Sequence, residues 1–226
     1  IPGNHGPVGP ISQIANLEFS AKGTRLEWVR NTLDPWSYQI EVPEGATSID
    51  VRFQWLTPLD GAQGRIVMTP DMLNHQWEKA ILYPAGYRSS HIGVLPRLKL
   101  PQGWHYAGAL EPEGTISGYL ELEPINLEHL ADSPVFAGQH FNRVDLDPGG
   151  RSPVFMNVVG DTADMVKIKD DHLALHRNLV READLLFGAR HFDRYDFLVA
   201  VTAKLGGIGL EHQRSSENSV ETKYFS

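Results

Sequence analysis

"YDFLVAVTAKLGGIGLEHQRSS", residues 195–216, decides how this chain is read. Its first nine residues are apolar almost without interruption. Such a run suits a strand buried on both faces. Three glycines then follow within four positions, at 206, 207 and 209, and after them come Leu210, Glu211 and His212. Glycine lets backbone come close to another group because no Cβ stands in the way. Upstream, "DDHLALHRNLVREADLLFG" (170–188) places His176, Leu179, Val180, Ala183, Leu186 and Phe187 on one helical stripe. Asp170 or Asp171 starts that helix, and Gly188 ends it. The carboxy-terminal part therefore reads as strand, helix, strand and glycine-rich loop.

The amino-terminal part has a different pattern. In "SIDVRFQW" (48–55), Ile49, Val51, Phe53 and Trp55 alternate with polar residues, as in a half-buried strand whose apolar side chains enter a core. Residues 25–30, 37–42, 64–68, 93–100 and 115–122 fit the strand class less cleanly. "VPEGA" (42–46) and "LPQGW" (100–104) supply turns between them. Two further strands are expected at 134–138 and 153–159, and the opening "IPGNHGPVGP" reads as irregular loop. The expectation is a mainly β protein. An antiparallel β-sheet or sandwich domain spans residues 1–132, and an α+β unit spans residues 133–226.

The chain has 226 residues, a net charge of −8 and 41% hydrophobic residues, as ordinary globular chains do. The acidic balance argues against nucleic acid, because phosphate binding needs clustered Lys and Arg. No apolar run approaches the roughly 20 residues of a membrane-spanning helix. With no cysteine there is neither a disulfide frame nor a thiolate metal site.

Two candidate sites stand out. His172 and His176, four apart on a helix, have a spacing used for zinc. A hydrolytic zinc helix also needs a glutamate directly after the first histidine, as general base. That position is Leu173, and none of the ten histidines is followed by Glu, so His176 is read as part of the apolar stripe. The five tryptophans are read as packing residues rather than a sugar platform. The second candidate is Gly207, Gly209, Leu210, Glu211 and His212. A carboxylate beside accessible extended backbone suits the ammonium end of an extended peptide, which would pair as an added strand. The competing reading is a solvated loop acid beside glycines that only turn the chain.

The run "FDRYDFLVAVTAKLGGIGLEHQRSSENSV" resembles the glycyl aminopeptidase family of zinc metallopeptidases. It is similar, more distantly, to the alanyl-aminopeptidase-like group with its G-x-M-E-N motif. Gly207, Gly209, Leu210 and Glu211 match that motif in role, while His212 stands where the larger group has Asn. "PGNHGPVG", "LEW" and "GW" fit the family's amino-terminal β domain. The resemblance implies a thermolysin-like catalytic domain, zinc in the full-length enzyme, and a peptide substrate with a small first residue such as Gly or Ala. It also implies that the H-E-x-x-H helix would follow beyond Ser226. The chain is then expected to hold no catalytic group and no metal of its own, to be inactive alone, and to self-associate. The alternative from another class is a non-catalytic β-sandwich binding module.

Overall fold

The computed structural model describes residues 11–226; the loop reading of residues 1–10 lies outside them. Strands hold 37% of the described residues and helix 16%, so the protein is mainly β. Among the described residues, five of the six sheets are antiparallel and small, and these five lie before residue 139. The first joins Ile14–Ala21 to Thr24–Leu26 and to Asp50–Trp55. Its inner face collects Leu17, Phe19, Ala21 and Leu26, with Trp28, Tyr38 and Phe53 packed against them. The alternation of residues 48–55 does make a strand, but an edge strand over a thin core. Val51 remains 38% exposed and Trp55 only half-buried, because one side of the sheet has few residues to cover it.

A hairpin replaces the single strand expected over residues 115–122. Pro112–Ile116 pairs with Tyr119–Leu122 through Ser117 and Gly118, both at positive φ. Two successive positive-φ residues give the tight turn whose twist matches paired strands. A second departure concerns residues 64–68, expected as a strand, where an isolated bridge joins Met68 to Leu73. A further sheet has Val135–Gly138 at its centre, between Met72–His75 and His105–Gly108. Its central strand thus comes from beyond residue 132, while both its neighbours come from before it.

The last sheet has five strands, in the order His140–Asp145, Val154–Gly160, Tyr195–Val201, Ser215–Val220 and Gly209–Glu211. The three central strands run parallel, and the two outer ones are antiparallel to their neighbours. The apolar run of residues 195–203 becomes the central strand, buried on both faces. One face carries Val159, Leu198 and Ala200 against Met72, Ala107 and Phe136 of the preceding sheet. The other carries Met156, Val158, Val199 and Val201 against Val180 of the helix Asp170–Phe187 and against Phe225. Each buried Val or Leu contributes about 1.5–3 kcal/mol, so this double layer fixes the sheet.

Gly188 ends the helix in the left-handed conformation, and its N–H bonds to the Asp184 carbonyl. The buried side of the helix runs through Leu173, His176 and Val180 rather than along the full expected stripe. Leu179, Leu186 and Phe187 face outward, as do Leu175 and Leu185.

Candidate functional site

The glycine run forms a loop that ends in the edge strand Gly209–Glu211. One side of that strand pairs with Ser215–Val220; among the described residues, nothing pairs with the other. The Ser219 N–H donates to the Ile208 carbonyl, and the His212 N–H donates to the Ser215 carbonyl. Antiparallel pairing alternates, so Leu210 also faces the partner strand. The N–H and C=O groups of Gly209 and Glu211 therefore point outward to the open edge. A Cβ built on Gly207 or Gly209 would meet nothing within 4 Å. Glu211 is exposed, and no ion pair or hydrogen bond holds its carboxylate among the described residues.

Gly206 has a different role. Its N–H donates to the Ile66 carbonyl at 2.8 Å. A Cβ there would lie 2.3 Å from Arg65 Cγ and 3.1 Å from the Ile66 nitrogen. Gly206 is the point where the loop touches the upstream chain, and only a missing side chain permits it. Gly206→Ala is expected to cost about 1–3 kcal/mol, as overpacking does. Gly207→Ala should change stability by less than about 0.5 kcal/mol. Urea denaturation of both variants checks the contrast.

His212 turns inward, and its side chain is 2% exposed. Its Nδ1 lies 2.9 Å from Asp132 Oδ1 and its Nε2 lies 3.0 Å from Glu217 Oε1. Both ring nitrogens are engaged, so the His212 side chain is committed to the protein itself. Glu217 is fully buried. Besides His212 it accepts hydrogen bonds from the side-chain amides of Asn74 and Gln76. Burial alone would push the Glu217 carboxyl up; His212, then Gln76 and Asn74, more than offset this and leave it below the usual range. The same balance lowers Asp132, where burial is opposed by His212 and by the Gln213 N–H. Burial would lower His212, but its bonds to Asp132 and Glu217 dominate and push it up to about 9.

His212 is therefore an imidazolium at neutral pH. Its ordinary pKa is 6.5. Below that value the folded and unfolded chains both carry the proton, and the stabilisation is full. Between about 6.5 and 9 only the folded chain keeps it, so stability falls as the pH rises through that window. The melting temperature should drop between pH 7 and pH 9.5, and His212→Gln should remove most of that slope.

Other polar contacts fix the turn after Glu211. The Gln213 N–H donates to Asp132 Oδ2 at 2.8 Å, and Arg214 pairs with Glu123 at 2.9 Å. Nearby, the Tyr195 hydroxyl donates to the Ser215 carbonyl, and burial, with Glu211 and Asp132 adding to it, pushes the phenol up. The rings of His172 and His176 both lie near Phe225. His176 Nδ1 donates to the His172 carbonyl at 2.7 Å, and its ring packs against Phe225. Among the described residues, no group of three or more His, Asp or Glu side chains could hold a metal ion. Zinc therefore does not fit the residues described.

Residues 1–139 match the peptidase M61 N-terminal domain. The chain belongs to the peptidase M61 family. This match falls on the amino-terminal part, whereas the motif resemblance was densest over residues 172–220. The fold is shared with solved structures. An aminopeptidase N family protein of Idiomarina loihiensis superimposes with a TM-score of 0.73 at 17% identity, covering 96% of this chain and 35% of that one. The yeast LTA4 hydrolase gives 0.51 at 14% identity, covering 91% and 34%. An M1 zinc metallopeptidase of Deinococcus radiodurans gives 0.47 at 12%, covering 90% and 50%. The chain spans about a third of the length of the first of these. A search of curated proteins gave no match.

Asp132, Glu217, Asn74 and Gln76 were not among the residues singled out from the sequence. Glu217 stands in "SSENSV", a polar run that gives no sign of burial. Its amide partners lie 141 and 143 positions upstream.

Proposed function

We propose that this chain is the part of a zinc aminopeptidase that recognises the free amino end of a peptide. Glu211 binds the α-ammonium, and the open edge at Gly209 and Glu211 pairs with the peptide backbone. The observation that carries this reading is the pairing of an unengaged carboxylate with outward-facing N–H and C=O groups on one edge strand. An ammonium at Glu211, with the peptide body lying back along Gly209 and Gly207, makes the peptide antiparallel to the strand. The open space above both glycines leaves room for it. Family membership supports a peptidase role, and the motif resemblance supports zinc and small first residues such as Gly and Ala. Among the described residues no group of three or more His, Asp or Glu side chains could hold a metal ion, and no general base is assigned. The chain alone is then expected to bind peptide without cleaving it.

Calorimetric titration with Gly-Gly-Gly and with its N-acetylated form tests this. The free-amine peptide is expected to bind at least tenfold more tightly. Equal affinities would overturn the reading and favour a binding module of another kind.

A further inference from the structure

Resting on the reading just given, we infer that the upstream chain clamps the turn at residues 212–214, with Asp132 as the main positioning residue, and that this clamp sets where Glu211 stands. Among the described residues Glu211 makes no side-chain hydrogen bond or ion pair, so the backbone around it sets its direction. The next three residues are all gripped from upstream. Asp132 takes the ring of His212 with one oxygen and the N–H of Gln213 with the other, and Glu123 takes the guanidinium of Arg214. The grip crosses 80 positions of sequence at His212 and 91 at Arg214.

Asp132 is well placed for this. It caps the short helix Leu127–Ala131, its N–H bonding to the His129 and Leu130 carbonyls. That helix is anchored by the buried Leu127 and Leu130 in a cluster with Leu110 and Leu122. A rigid carboxylate therefore reaches across to the turn from a packed element. At the other end of the loop, the Gly206 contact with Ile66 and the Lys204–Asp71 ion pair at 2.9 Å do the same. The edge strand is thus tied down on both flanks by the amino-terminal part and left free along its open side. The β-rich part is part of the site's frame rather than an appended module.

The test is the ratio of affinities for Gly-Gly-Gly and N-acetyl-Gly-Gly-Gly in wild type, Asp132→Asn and Arg214→Gln. A merely structural loss weakens both peptides alike, whereas a displaced Glu211 lowers only the ratio. Asp132→Asn is expected to lower the ratio about tenfold and Arg214→Gln about threefold, with acetylated-peptide affinity unchanged. If Asp132→Asn does not fold, Arg214→Gln alone decides. A wild-type ratio of one overturns the amine-binding reading and this inference with it. A high wild-type ratio that the variants retain overturns the clamp alone.

Discussion

Glu211→Gln should abolish the preference for a free amino terminus while leaving the fold intact. The side chain is exposed and makes no hydrogen bond or ion pair among the described residues, so its replacement costs about 0.5 kcal/mol of stability or less. Its loss matters only when a positive charge is brought to it. A charge-assisted hydrogen bond contributes about 1.5–3 kcal/mol, which is roughly a 10- to 100-fold loss for Gly-Gly-Gly. The acetylated peptide has no charge to lose and should bind the variant and the wild type equally. Glutamine keeps the shape and an acceptor oxygen, so the contrast isolates charge. An unchanged affinity for the free-amine peptide would remove Glu211 from the site.

The second large effect belongs to Glu217. It is fully buried between the two sheets, and three polar partners are oriented toward it. Glu217→Ala would leave the His212 imidazolium without one of its two counter-charges and the amides of Asn74 and Gln76 without an acceptor. Breaking one side of a buried pair costs about 3–5 kcal/mol. In a chain of this size that is a fall of about 10 °C in melting temperature. Replacing both members behaves differently, because a buried ion pair exchanged for apolar side chains is often neutral. Leu210 and Leu198, the cross-strand neighbours of Glu217, offer apolar surroundings for such an exchange. Glu217→Leu combined with His212→Leu should therefore recover much of the loss in thermal melts. A Glu217→Ala variant that melts within about 2 °C of wild type would contradict the buried network.

These two glutamates mark the limits of sequence reading in this protein. Glu211 stands out in the sequence because glycines, an apolar anchor and an acid lie together in a run that resembles the G-x-M-E-N motif; the structure adds its exposure on an open edge strand. The central strand and the helix ends were legible for similarly local reasons: an unbroken apolar run, a pair of aspartates and a glycine at a left-handed cap. Glu217 was not legible, because its burial depends on amides contributed by a distant strand. His212 enters the candidate site through the motif resemblance, where it stands at the Asn position; the structure places its side chain between Asp132 and Glu217. The direction of its side chain follows from the alternation of the hairpin and from Asp132, neither of which is visible in "GLEHQ". The helix stripe was read one face too wide, since the sheet beneath it accepts Val180 and leaves Leu179 and Leu186 outside. Residues 115–122 hid a hairpin because Ser-Gly interrupts an alternation that otherwise looks continuous.

The most direct measurement is an amide-resolved NMR titration of the chain with Gly-Gly-Gly. An added strand on the open edge would shift the Gly209 and Glu211 amides and protect them from exchange. The Leu210 amide, already bonded to the neighbouring strand, would change little. N-acetyl-Gly-Gly-Gly at the same concentration should leave all three near their free positions. Shifts confined to other surfaces, or equal shifts with both peptides, would contradict the proposal that this edge and Glu211 together receive the amino end of a peptide.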